Sequence, residues 1–400
     1  SFQPEYDERT SLLYWESVPI HIISIENHSG TYQVQLKNNL RDNVILQELF
    51  FDDFLVWDND VLLSSSQVQH IVVQGGFDVS DEVDIRLTYR IGEVIHQFVG
   101  EKPVRLSESS GPVSYVSFSS PTSQGYIMLS NITYTIFDTQ NVSSFVDVNN
   151  SVIGWWRFEN QLFRDESRYN NHGVGSYTSI TDQGILSSAL NMSDENEQYV
   201  RIPFDSSFHL LSQAQEMTLS TWVYLTPNTN SSIAEFQTIF SSGPIYSTET
   251  PFVFGYNSSS EELVLFIGNN SYALHANIEL DEEEWYHLAV TFSPEVIRIY
   301  VNGNIEVFDT SHEQILPTIL TSLYIGIDSP GSLNFFIGRI DDILFIAREL
   351  HSVEISHLQK EQAPLTRSFS WQYSGNAFVQ AFAQNSVGQI YTTGMREVIQ

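Results

Sequence analysis

The segment Asp165-Glu166-Ser167-Arg168-Tyr169-Asn170-Asn171-His172-Gly173 gathers several oxygen-bearing side chains and a glycine in one tight turn, as a hard cation requires. The same residues also suit an Asx-turn, in which Asp165, Ser167 and Asn170 satisfy backbone groups with no ion, so both readings stand. Other carboxylates lie close together along the chain. Asp281 to Glu284 is a run of four, read as a solvated loop before a strand, with a second cation site as the alternative. Glu195 and Glu197 fall in a polar loop, Asp81 and Asp84 in the N-terminal part, and neither pair has a cleft context. There is no cysteine, which removes disulfides, thiol nucleophiles, thiolate zinc sites and iron–sulfur ligation together. Eleven histidines leave a Ser-His-Asp triad open by composition, but no nucleophile elbow occurs. Asn-X-Ser/Thr sequons stand at Asn27, Asn131, Asn141, Asn149, Asn191, Asn230, Asn257 and Asn269. They read either as glycosylation sites of a secreted protein or as ordinary turn chemistry.

The scaffold that must position these residues is large. A chain of 400 residues predicts two to four domains, and 42% apolar with 13% aromatic content predicts packed cores. Forty-nine acidic against 17 basic side chains give a formal charge of −32, a field that repels phosphates and excludes nucleic-acid binding. Lysine occurs only at positions 37, 102 and 360. Such a surface fits high salt, a divalent-cation environment or an outward-facing protein, and composition does not separate the three. No stretch reaches the roughly 20 apolar residues of a membrane-spanning helix, and SFQPEYDERT is not a signal peptide. A soluble, secreted protein is expected, its targeting or anchoring segment lying outside this sequence.

Short apolar and alternating runs between Gly, Asn, Asp and Ser clusters predict an all-β fold. After an extension over residues 1–18, about seven runs in 19–106, among them IHIISI, TYQVQL and VDIRLTYR, fit one Ig-like sandwich. YRIGEVIHQF reads as a hairpin turning at Ile91-Gly92-Glu93. The stretch LSESSGPVS is a linker at 106–114. Residues 113–147 and 366–399 each hold too few strands to fold alone, so together they are expected to form a discontinuous Ig-like sandwich interrupted by residues 150–360. Within the middle region, Trp222 and Trp285 are expected in the core, Asn302-Gly303 in a type I′ turn, and SVEISHLQK in a short helix capped by Ser352.

The middle region carries, in order, IGWWRFE, DESRYNNHG, GILSSALNM, QYVRIP, MTLSTWVYL, EEWYHLAVTF, IRIYVNGNI, LYIG and FFIGRIDDILFIARELHSVEISHL. Over about 200 residues this order resembles the laminin G-like jelly roll of the concanavalin A-like lectin/glucanase superfamily. The resemblance implies a two-sheet sandwich with a structural calcium, whose ligands would be Asp165 and Asn170 in the loop and Asp341 in GRIDD. His172 would orient the turn. The segment Asn191 to Gln198 is richer in charge and poorer in glycine than the family pattern, which puts its usual backbone contact in doubt. The C-terminal AFVQAFAQNSVG resembles closing strands of Ig-like repeats in prokaryotic surface proteins, and residues 19–106 weakly resemble archaeal pilin-like ectodomains.

The superfamily includes glucanases, but the alternating E-x-D-x-x-E carboxylates of its laminarinase-type members do not occur here. The expectation is therefore not an enzyme but an extracellular adhesion protein, whose jelly-roll loops meet glycans or surface proteins. Tyr177, Tyr246 and Tyr256 fall in loop-like contexts and are candidate rim aromatics, though ordinary packing is the favoured reading of each, and no ligand is named. The alternative is a structural subunit that self-assembles into a cell-surface filament, pilus or surface layer.

Overall fold

The computed structural model describes residues 14–399, apart from 29, 64, 66–67, 75–80, 109–114, 121–124, 127–130, 160–162, 194–196, 228–234, 245–251, 269–271, 312–320 and 371–376. Nearly all of it is β. The chain forms two compact units, Ser1–Asn150 with Lys360–Gln400, and Ser151–Gln359. Among the described residues no helix is long and apolar enough to cross a membrane.

In the first unit, TYQVQL becomes the strand Thr31–Asn38, whose side chains alternate strictly between buried and partly exposed. Strands Ile85–Ile91 and Val94–Val99 pair through Ile91↔Val94, with Gly92 at φ 55 in the two-residue turn. Sequence-distant segments complete the unit. Asn141–Val148 pairs antiparallel with Ala377–Asn385, and Asn131–Phe137 with Leu365–Ser370. A parallel pairing of Gln69-His70 with Ile390-Tyr391 joins the N-terminal strands to this second set in one sheet, while two separate apolar clusters lie beneath.

The second unit is a sandwich of an eight-stranded and a seven-stranded sheet around one large core. Phe252, Phe254 and Tyr256 alternate into that core from one strand, whose opposite face is buried as well. Trp222 is buried edge-on against His287, and Trp285 is partly buried beside Tyr224. Asn302 and Gly303 take φ 46 and 81 between paired Val301 and Asn304, the geometry of the expected tight turn. The helix spans Ser352–His357 with His351, not Ser352, as its N-cap. Glu354 makes the difference: its carboxylate accepts from His351 N at 3.1 Å and from both Arg348 terminal nitrogens at 3.1 and 2.7 Å.

That ion pair is buried on both sides. Removing one partner strands the other charge in the interior, which typically costs about 3–5 kcal/mol. Glu354→Ala is expected to lower the unfolding free energy of the second unit by that amount, with a lower denaturant midpoint, whereas exposed Glu306→Ala is expected to stay within about 0.5 kcal/mol. Equal midpoints for the two variants would show that the pair does not anchor the helix.

Candidate functional site

The loop from Phe163 to Gly173 is built around Asp165, which has no exposed surface. Asp165 Oδ1 accepts from Trp155 N and Ser167 N, both at 2.8 Å. Oδ2 accepts from Ser167 Oγ at 2.6 Å and from Asn171 N at 2.8 Å. Four donors thus meet the four lone-pair positions of one carboxylate. His172 orients the turn by accepting from Asp165 N at 3.1 Å through Nδ1, and half-buried Asn170 supplies the left-handed φ of 59. Burial pushes the Asp165 carboxyl above its ordinary value, and the donors pull it back.

Asp341 does a different job. Its Oδ2 accepts from Ile185 N at 3.0 Å and Leu186 N at 3.2 Å, closing the turn between Ser179–Gly184 and Ser187–Met192. Neighbouring Asp342, at φ 51, accepts through Oδ1 from Trp155 Nε1 at 2.7 Å. A cation needs oxygen lone pairs free to converge on one point, and Asp165 has none left. Among the described residues, no group of three or more His, Asp or Glu is arranged to hold a metal. The donor set Asp165, Asn170 and Asp341 therefore does not fit a calcium ion, and the turn reading accounts for the loop.

Around Asp341 the interior is nonetheless acidic. Burial, then the charge of Asp342, and further on that of Glu159, hold its carboxyl well above the ordinary range, with Arg157 opposing. Burial likewise raises Glu159, whose Oε1 lies 3.9 Å from Arg157. On the same unit His287, wholly buried with Nε2 2.8 Å from Ser220 Oγ, is driven down to about 3 by desolvation.

The other expected positions scatter. Tyr256 is core, its hydroxyl accepting from Leu280 N, and Tyr246 lies outside the described residues. Tyr177 is 80% exposed at φ 52, in the turn between Val174–Ser176 and Ser179–Gly184. Gly175 seats that turn, since a Cβ there would lie 2.3 Å from the Phe163 ring. Asp281 to Glu284 are exposed, as are Asp81 and Asp84; Glu195 lies outside the described residues, and Glu197 caps Gly331 N at 2.7 Å. Of the sequon asparagines, Asn131 and Asn149 are exposed and Asn27, Asn141, Asn191 and Asn257 half-buried, while Asn230 and Asn269 lie outside the described residues.

One feature of the first unit left no trace in the sequence. A cleft of about 590 Å³ is lined by Glu48, Asp58, Asn59 and Asp60 together with Phe378 and Met395, residues more than 300 positions apart. Thr88 Oγ1 holds Glu48 at 2.8 Å and Arg90 lies 3.5 Å from Asp60, so the cleft keeps a negative balance.

The pH response of the second unit follows from these groups. Asp341 and Glu159 bind protons more tightly folded than unfolded, so their contribution is full below the ordinary carboxyl values and is lost as pH rises through the raised folded ones. His287 acts oppositely: its contribution is present above 6.5 and is lost as pH falls toward about 3. Asp341→Asn keeps an acceptor for Ile185 and Leu186 but no charge. It is expected to raise the unfolding midpoint at pH 8 and to do so much less at pH 4, and a gain independent of pH would contradict the assignment.

A search of the curated proteins gives no match. Solved structures similar to the chain include domain 4 of AbnA, a GH43 extracellular arabinanase from Geobacillus stearothermophilus, in complex with arabinotriose. It is 16% identical with a TM-score of 0.41, over 54% of this chain and 100% of that one. The binding domain of botulinum neurotoxin DC in complex with rat synaptotagmin II is 16% identical with a TM-score of 0.40, over 52% of this chain and 51% of that one. The binding domain of Paraclostridial Mosquitocidal Protein 1 is 15% identical with a TM-score of 0.41, over 52% of each chain. The chain thus spans about half the length of both toxin binding domains. Residues 194–356 match the family model described as the concanavalin A-like lectin/glucanases superfamily, and the chain carries a laminin G-like, concanavalin A-like jelly-roll domain.

Proposed function

We propose that the protein acts outside the cell as a binding protein for neutral glycans, which its jelly roll meets at the edge carrying Tyr177. The observation that carries this reading is Tyr177 itself: an aromatic ring 80% exposed, on a residue in the left-handed region at φ 52. An L-residue with a side chain costs about 1–2 kcal/mol there, and an exposed ring has no packing to offset it. A ring presented in this way offers a flat apolar face to the C–H face of a sugar, with a hydroxyl at its rim. Neutral ligands are favoured because a chain of charge −32 repels acidic ones. Binding rather than hydrolysis is favoured because Glu159 and Asp341, two neighbouring carboxyls among those inside the domain, are buried and engaged with backbone N–H groups, whereas a glycosidase pair must flank a substrate. The exposed sequon residues Asn131 and Asn149 suit a secreted or surface location.

A second reading rests on a separate observation. Val94–Val99 is an edge strand of a four-stranded sheet, and it exposes Val94, Ile95 and Val99 with no charged residue of its own. Unprotected edges of this kind add strands from another chain, which is how a filament or layer subunit would assemble.

The two readings part experimentally. On an array of neutral and acidic glycans, the full chain is expected to retain neutral ones, and Tyr177→Ala is expected to bind about 30-fold more weakly with stability changed by less than about 0.5 kcal/mol. Binding unaffected by Tyr177→Ala would remove the Tyr177 edge from the proposal, and no retained glycan would remove the proposal. If the edge strand assembles, sedimentation will show concentration-dependent association that Val99→Lys abolishes; a monomer at all concentrations would sink that reading.

A further inference from the structure

The acidic cleft of the first unit has a floor and a wall. Its floor is the outer face of the four-stranded sheet, where Val44–Phe51 runs between Phe54–Leu63 and Ile85–Ile91. Leu46 and Leu49 both belong to the core, and a bulge between Leu46 and Glu48 turns Gln47 and Glu48 together onto the cleft side. The register then sets Glu48 directly opposite Asp58 on one neighbour and Thr88 on the other. The wall comes from the far end of the chain. Met395 N donates to Asp60 O at 2.8 Å, and a Cβ on Gly394 would lie 2.4 Å from Asn59 Nδ2, so this segment is seated tightly against the edge of the sheet. Phe378 is fixed by its backbone: its N donates to Asn149 Oδ1 at 2.9 Å and its O accepts from Asn149 N at 2.8 Å, while 44% of the residue stays exposed.

On this floor the charges do not balance. Asp60 has a cation near it, Arg90 at 3.5 Å, and accepts from Gln47 Nε2 at 3.3 Å. Glu48 has only the neutral hydroxyl of Thr88. Among the described residues no Lys, Arg or His pairs with Glu48 or Asp58. Like charges directly opposite in an antiparallel pair destabilise the sheet, and a positive group placed between them removes that cost. The volume of about 590 Å³ lies in the range that holds small organic ligands and far exceeds one ion. Ile95, Phe378 and Met395 add apolar surface to the same cleft, which a bare ion would not use.

We propose that this cleft binds an organic cation, an ammonium or guanidinium group on a short apolar stem. The charged head sits between Glu48 and Asp58, and the stem lies against Phe378 and Met395. An aromatic ring beside carboxylates suits such a head, because the ring face attracts positive charge as well. The same chemistry is offered by a lysine or arginine side chain of a peptide and by a free polyamine. Among the described residues no three His, Asp or Glu side chains are arranged to hold a metal, so a metal ion is not the matching ligand. Every residue of the cleft belongs to the first unit, and the inference does not depend on glycan binding by the jelly roll.

The test is calorimetric titration of the full chain with spermidine, with an arginine-containing pentapeptide amide, and with magnesium at matched ionic strength. Saturable binding of spermidine or the peptide is expected, with magnesium at least about 10-fold weaker, and the tighter of the two organic probes names the source of the cation. Asp58→Asn is expected to weaken binding about 10-fold, the loss of one charge-assisted bond, and Glu48→Gln, which keeps an acceptor for Thr88, by a similar factor. Phe378→Ala, at an exposed ring, is expected to weaken the organic probes about 3-fold and to leave magnesium unchanged. Asp281→Asn removes the same charge from an exposed loop of the second unit and is expected to leave binding within about 2-fold. An equal loss in Asp281→Asn would assign binding to the diffuse field of the acidic chain and overturn the site. No saturable binding of either organic probe, or unchanged binding in all three cleft variants, would overturn it as well. Should one carboxylate variant fail to fold, the other and Phe378→Ala decide by the same criteria.

Discussion

The strand Gly338–Ile346 is the member on which the jelly roll depends. On one side it is hydrogen-bonded to Met217–Leu225, and on the other to Ser187–Met192 and Val152–Trp156. Without it the eight-stranded sheet would fall into pieces, each with an open edge. It is also the last strand of its unit, so the earliest segment cannot find its partner until nearly 200 residues later. One consequence is local: Ala347 N, just past this strand, donates to Ser151 O, so the start and the end of the unit meet. A unit with adjoining ends can sit within another chain segment at little cost in closure entropy, which is how residues 1–150 and 360–400 come to share a fold.

Burial of polar side chains beneath the sheets follows from the same closure. The bulge beside Asp341 lets two consecutive carboxylates serve two different partners, the 185–186 turn and the Trp155 indole. Asp165, Asp341 and Glu354 each meet backbone N–H groups, and Glu354 meets a guanidinium as well. In a low-dielectric interior such bonds fix geometry strongly because a missing partner costs more than a made one contributes. Asp328 stands apart from them, with one oxygen bonded and one not.

Much of the fold was legible because it is written in local periodicity. The alternation of Thr31–Asn38, the Asn302-Gly303 turn, the burial of Trp222 and the family pattern from IGWWRFE to FFIGRIDD all concern residues near one another in the chain. The site residues were less legible. The 165–173 loop has the composition of both a cation loop and a hydrogen-bonded turn, and the choice lies in Trp155 N, a donor from another segment. Ser352 looked like the helix cap, but Glu354 reaches back to His351 because Arg348 holds it there. The acidic cleft and the parallel pairing of Gln69 with Ile390 join segments over 300 residues apart, and no local pattern marks such a meeting.

By itself, the sequence determined the all-β class, the order of the jelly-roll segments, the acidic lysine-poor surface and the absence of thiol chemistry, since each follows from composition or from spacing over a few residues. Only the tertiary structure decided which carboxylates are satisfied and which is not, which aromatic is buried and which exposed, and where the cleft lies. The physical reason is that hydrogen-bond satisfaction and solvent exposure are properties of neighbours in space, and in a two-sheet sandwich most of those neighbours are remote in sequence.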